Sequence, residues 1–319
     1  MNIKNITTSG DVLLKNALGG IYTASGTQTG TTPTAVINGA SLEILAGLKD
    51  SNNGNIGTVT KGSTNGIPLF VNINGPLHAT ATGDMNIYQV GNNDLVLEGI
   101  SGAGNITLTA DKGIRSLNSA PKEDTSRAYI RLENKESTLT LLAKDGDIGN
   151  DGNGRIVVLN RNDSDDEDQR NIVLEAHHTN SEGKDDGSVY IYGNQNPSNS
   201  KEPAGTLYIN SIAVGEKGTI DLDSFGYINV KGNENVDVLK ADSVKLNAAL
   251  DVNIVAKNLE INKVNISAGK HQMATSTDEN VYGGDVTITA ERIVIGDNGS
   301  KIQANALIIY GGEAEKVNV

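Results

Sequence analysis

The chain has 319 residues, with 37 glycines, two phenylalanines, and no tryptophan or cysteine. Disulfides and thiolate metal sites are therefore excluded, and a core built on aromatic rings is not available. The net charge of −13 leaves nothing to neutralise phosphates, which argues against a nucleic acid partner and suits solubility outside a cell.

Residues 1–82 are rich in Thr, Gly and Asn, with weak strands at 12–14, 42–45, 56–59 and 69–73 and a loop-like tract at 23–34. Residues 1–10 are polar and contain no leader-like apolar run, and no segment approaches the ~20 apolar residues of a membrane span. The reading is a piece cut from something longer, or a soluble protein exported by another route. From 83 onward, apolar-x-apolar pairs separated by polar turns strengthen: Met85/Ile87, Leu95/Leu97 and Ile106/Leu108. A polar excursion at 111–127 interrupts them. Ile130/Leu132 and Leu139/Leu141 then read as successive strands of one coil or as a hairpin.

Pairs begin next at Leu139, Ile156, Ile172, Val189 and Leu207, in steps of 17, 16, 17 and 18. The polar remainders between 143 and 206 are loops on one face or an antiparallel extra sheet. From 218 to 266 the beat is clearest: Ile220/Leu222, Ile228/Val230, Val236/Val238, Val244/Leu246 and Val252/Ile254 start every eight residues. Leu259/Ile261 and Val264/Ile266 follow. After a polar insertion at 268–284, the closing pairs are Val286/Ile288, Ile293/Ile295 and Leu307/Ile309. The six prolines (33, 68, 76, 121, 197, 203) all lie in stretches that read as loops.

Eight residues are too few for a βα unit but fit a strand and a corner, with two inward side chains per strand. Two such steps make a coil of ~16 residues, and fixed-period repetition of this kind predicts a β-solenoid. The expected fold is thus all-β, a parallel β-helix forming one domain over 1–319, regular at 83–266 and closing at 285–310. Coils of ~16–20 residues, each adding ~4.8 Å, give a rod of roughly 60–90 Å.

Three strings carry a family resemblance: Gly104-Asn105-Ile106-Thr107-Leu108-Thr109-Ala110-Asp111-Lys112-Gly113-Ile114, Leu141-Leu142-Ala143-Lys144-Asp145-Gly146-Asp147-Ile148-Gly149, and Gly284-Asp285-Val286-Thr287-Ile288-Thr289-Ala290. They resemble the repeat unit of filamentous haemagglutinin-type adhesins, the passengers of bacterial two-partner (type V) secretion. The resemblance covers roughly 80–310 and implies a right-handed parallel β-helix. The Asn-Pro-Asn-Gly type turn of that family's secretion domain is missing; the nearest string is Asn65-Gly66-Ile67-Pro68. The chain thus resembles the shaft of such an adhesin.

Candidate sites lie on the outward positions. Tyr190, Tyr208 and Tyr227 are spaced by 18 and 19 residues, about one expected coil, and Tyr192 shares the face of Tyr190. Stacked, they would form a ladder that either holds sugar rings or only stabilises the sheet. Asp145, Asp147 and Asp151 crowd one turn with oxygen ligands suited to Ca²⁺, although the EF-hand pattern is absent and solvated turns are the favoured reading. His177 and His178 face Asp185 and Asp186 at loop distance and read as a surface pair. Asp221 and Asp223, two residues apart on one strand, are either a solubilising pattern or the carboxylate pair of a glycosidic site.

The leading expectation is a non-enzymatic shaft on the bacterial cell surface, contacting host or neighbour-cell glycans or proteins. The alternatives are a carbohydrate-active β-helix (tailspike glycosidase or polysaccharide lyase) and an extracellular filament subunit associating end to end.

Overall fold

The computed structural model describes residues 1–24, 28–29, 32–33, 35–49, 54–58, 66–117, 129–134, 137–151, 154–160, 171–195, 205–232, 238–269, 283–296, 299–311 and 313–316. Among these residues the chain is all-β, without a helix. Two long parallel sheets dominate, one of 14 strands and one of 12, and the chain passes back and forth between them. Along the main path of each sheet, strands follow one another in chain order, with Ile114–Ser116 and Lys301–Gln303 as extra segments beside it.

β-branched and leucine side chains alternating with Thr, Asn and Asp explain the strands, since such residues fit a pleated surface buried on one side. Strand Ile106–Ala110 shows the stacking. It pairs with Met85–Gln89 on one side and Thr138–Ala143 on the other, which sets Ile106 and Leu108 against Met85/Ile87 and Leu139/Leu141. All six are fully buried. One hydrophobic cluster of this kind runs from Val12 to Ile295. Ile220, Ile228, Val244 and Val252 all belong to it, while Val236 lies outside the described residues.

Circuits vary in length, and most exceed the expected 16–20 residues. Leu69 pairs with Ile87, eighteen residues on, and Ile172 with Ile209, thirty-seven on. In the most regular stretch Ile220 pairs with Val244 and Ile228 with Val252, twenty-four on in each case. The reason is visible in Val238–Ala248 and Asn258–Ala268, two 11-residue strands that pair along their length. Each brings two apolar pairs inward: Leu239/Ala241 with Val244/Leu246, and Leu259/Ile261 with Val264/Ile266. The 14-stranded sheet thus takes two segments per circuit there. Strand Leu95–Gly102 does the same, pairing Leu95 with Ile114 and Ile100 with Ile130. The eight-residue beat is therefore one third of a circuit, where two beats were expected to complete one. Twelve strands at ~4.8 Å span about 50 Å, below the expected length.

Other expectations resolve along the chain. Tyr129–Leu132 and Thr138–Ala143 enter different sheets in parallel order, so they form no hairpin. The strands between 143 and 206 all join the two parallel sheets, with no antiparallel extra sheet among the described residues. Residues 118–128, 161–170, 196–204 and 270–282 lie outside the described residues. Within 23–34, Gln28–Thr29 and Thr32–Pro33 form a two-stranded antiparallel pair rather than plain loop. Pro76 opens strand Pro76–Ala81, a first position where a missing N–H costs no interior ladder bond. Within 56–59, Ile56 contributes only isolated bridges, and 59 lies outside the described residues.

Two of the three resembling strings, at 104–114 and 284–290, share a geometric cause, while Gly146-Asp147 leads to Ile148, which bridges Ile114 and Val189 of the 14-stranded sheet. The Asn55 side-chain oxygen accepts the Asp84 N–H at 2.8 Å, Asp84 accepts from the Asn105 N–H at 2.8 Å, and Asn105 from the Thr138 N–H at 2.9 Å. Asp251 accepts from the Asp285 N–H at 2.8 Å in the same manner. One corner of the stack is therefore stitched by Asp and Asn carbonyl oxygens, each capping the backbone of the next circuit. Glycine precedes Asn55, Asp84, Asn105 and Asp285 because the circuits touch: a Cβ on Gly104 would sit 2.7 Å from the Asp84 nitrogen, and one on Gly284 2.5 Å from the Leu250 oxygen. Gly-Asx followed by an inward apolar pair is the local solution to that corner.

Candidate functional site

The four tyrosines do not form a ladder. Tyr190 and Tyr192 lie on Val189–Gln195 of the 14-stranded sheet, in register with Asp221 and Asp223. Tyr208 lies on the 12-stranded sheet opposite Asn229, and Tyr227 just precedes strand Ile228–Lys231 of that sheet. The interval of 18 from Tyr190 to Tyr208 crosses from one sheet to the other, and the interval of 19 from Tyr208 to Tyr227 stays on the 12-stranded sheet but falls short of the 21-residue step that pairs Leu207 with Ile228. Tyr192 is 4% exposed and packs with Val157, Leu159 and Phe225, its ring centroid 5.9 Å from that of Phe225. It forms a small apolar cluster on the outside of the sheet and offers no ring to solvent. Tyr190 is half-buried, and burial pushes its phenol up.

Beside this cluster lies a buried group of charges. Asp221 and Asp223 point outward from strand Thr219–Ser224, as their alternation with Ile220 and Leu222 requires. Exposure would follow if the strand were simply solvated, yet their side chains are only 3% and 8% exposed. The Nη2 of Arg155 lies 2.6 Å from Asp221 Oδ2, and its Nη1 is 3.8 Å from Asp223 Oδ2. Arg155 immediately precedes strand Ile156–Asn160, two strands away, so its side chain reaches across Val189–Gln195 to make the contact. From the other side Lys245 approaches Asp221 Oδ2 at 3.2 Å, and Asn247 donates to Asp223 Oδ1 at 3.1 Å. Two positive and two negative groups thus compensate one another. Asp221 Oδ1 and Arg155 Nε remain buried without hydrogen-bond partners. Such a group ties together four successive strands, from Ile156–Asn160 to Val238–Ala248, and keeps the carboxylates covered.

The calcium candidates are dispersed. Asp145 is bound by Lys112, which holds its carboxyl below the usual range. Asp147 accepts the Ser188 N–H at 2.7 Å, and burial pushes its carboxyl up. Asp151 is exposed. Among the described residues no three His, Asp or Glu side chains are placed to share a metal ion. The histidines do meet the expected carboxylates: His177 Nδ1 is 2.6 Å from Asp185 Oδ2, and His178 Nδ1 is 2.6 Å from Asp186 Oδ1.

Arg155 is the residue that sequence reading passed over. The signal was its outward parity: it precedes inward Ile156 as Asp221 follows inward Ile220, but only the true register puts both in one column. No protein-family model, curated protein or solved structure matches the chain. No helix among the described residues is long and apolar enough to cross a membrane.

Proposed function

We propose that the chain is a shaft segment of a secreted bacterial surface adhesin: a right-handed parallel β-helix that serves as a stiff extracellular spacer. The observation that supports this most is the unbroken aliphatic column from Val12 to Ile295 between two parallel sheets. Each circuit hides the strand edges of the last, so bending requires many ladder bonds and core contacts to yield together. Right-handed winding follows from the strong chiral preference of parallel crossovers. The Gly-Asx corner strings resemble those of filamentous haemagglutinin-type shafts, and on this reading loops or adjoining regions contact host or neighbour-cell glycans or proteins.

The test is mechanical. The chain is inserted between a cell-surface anchor and a binding head, and rupture is followed by single-molecule pulling. The proposal expects about 50 Å of added reach before any unfolding step. Extension like a flexible coil at low force would contradict it.

A carbohydrate-active β-helix is the second reading, favoured by Asp221, Asp223 and Arg155 on one outward face. It ranks lower because glycosidic cleavage needs carboxylates open to a sugar, and these are covered. Turnover of an acidic polysaccharide that disappears in Asp221→Asn or Asp223→Asn would promote it over the spacer.

A further inference from the structure

A short hairpin leaves the stack between strands Asn171–Ala176 and Val189–Gln195. Its arms meet at an antiparallel bridge between Thr179 and Asp185, and the Asp186 N–H donates to the His178 carbonyl at 2.9 Å. Toward the tip, the Asn180 N–H donates to the Lys184 carbonyl at 2.9 Å. The base carries four titratable side chains in two pairs, each pair joining one arm to the other. His177 Nδ1 meets Asp185, and its Nε2 lies 3.2 Å from Glu175. His178 Nδ1 meets Asp186, whose second oxygen accepts from the Asn180 amide at 3.0 Å. From the preceding circuit Asp145 and Asp147 also act on His178, and Lys112 binds Asp145.

Adjacent residues project to opposite sides, which is why the two imidazoles find separate carboxylates. A metal ion would need them to converge. Two imidazole–carboxylate pairs across the mouth of a nine-residue excursion are arranged as a clasp whose strength depends on protonation.

We propose that residues 178–186 form a pH-dependent latch, shut while His177 and His178 carry a proton and loosened when they lose it. Both imidazoles are pushed above the ordinary histidine value. For His177 burial opposes this, but Asp185 and Glu175 outweigh it; for His178 the hydrogen bond to Asp186 leads. A raised folded-state value means the pairing contribution is complete below ~6.5 and is lost as pH rises through the raised value. Asp185 and Asp186 are both held low. For Asp185 burial opposes this, and the His177 side chain together with the His178 and Gly187 N–H groups outweighs it; for Asp186 the His178 hydrogen bond leads. Their contribution is present above ~3.9 and lost only as pH falls through the lowered values. The latch is therefore shut in mild acid and opens as pH rises through the raised histidine values. Opening is local, because strand Val189–Gln195 stays paired with Thr219–Ser224.

Hydrogen exchange on the full chain at pH 5.5 and 8.5, corrected for intrinsic rates, reads the latch at the Asn180 and Asp186 amides. Protection of these two is expected to fall about 3- to 10-fold at the higher pH, as for two exposed ion pairs, while Leu108 and Leu174 stay protected. In a His177→Gln, His178→Gln variant the pH dependence should vanish. Equal protection at both pH values, or a parallel loss in the variant, would overturn the proposal. So would ring-proton titrations of the intact chain that place both histidines at or below ~6.5.

Discussion

Single side chains carry much of the specificity of this stack. Gln89 is fully buried, and its amide donates to the Ile73 carbonyl at 2.9 Å while accepting the Ile73 N–H at 3.3 Å. It completes a ladder that backbone pairing leaves off, since Met85–Gln89 pairs with its neighbour only as far as Val71. Gln89→Leu should cost about 2–4 kcal/mol in denaturant unfolding followed by circular dichroism, because two buried backbone groups lose their partners. The Arg155 group makes a different case. Asp221→Asn leaves a buried guanidinium poorly compensated and should cost about 3 kcal/mol. Adding Arg155→Met should restore most of that loss, as apolar replacements of buried ion pairs often do. The pairing was not legible in the sequence because it joins residues 66 apart, and outward parity alone does not reveal which circuits are neighbours.

At the scale of the element, the Gly-Asx corner explains why the same short string recurs before strands of the 12-stranded sheet. Asn105→Ala removes one acceptor from the Thr138 N–H and should cost about 1 kcal/mol. Gly284→Ala should cost more, about 1–3 kcal/mol, because the added methyl meets the Leu250 carbonyl oxygen and the backbone must shift. Both are read as thermal-melting shifts with unchanged strand content. The strands themselves were largely evident from alternation: Leu69–Ile73 falls where the apolar pairs place it, and Val12–Asn16 and Leu42–Ala46 extend their expected spans by a residue or two. Their assignment to sheets was not evident. Tyr190 and Tyr208 look equivalent by spacing, yet one pairs with Asp221 and the other with Asn229 on the other sheet. Alternation reports which side faces the core; it says nothing about which strand lies next door.

For the whole molecule, the regular stretch from Ile228 onward lays down three strand segments per circuit, two in one sheet and one in the other, over a common aliphatic interior. The periodic sequence announced the stacking but not the number of segments per turn, since an eight-residue beat is compatible with two or three. The chain has no cysteine, so cross-links can be introduced one pair at a time. Asn229 and Asn253 are in-register neighbours whose side chains already touch at 2.8 Å, and Asn229 and Lys245 are separated by the two beats of a shorter circuit. In-register Cα atoms about 4.8 Å apart are within disulfide reach. The deciding measurement is oxidative cross-linking of two double variants, Asn229→Cys with Asn253→Cys and Asn229→Cys with Lys245→Cys. A three-segment circuit predicts an efficient native disulfide in the first and none in the second; the reverse result would contradict it.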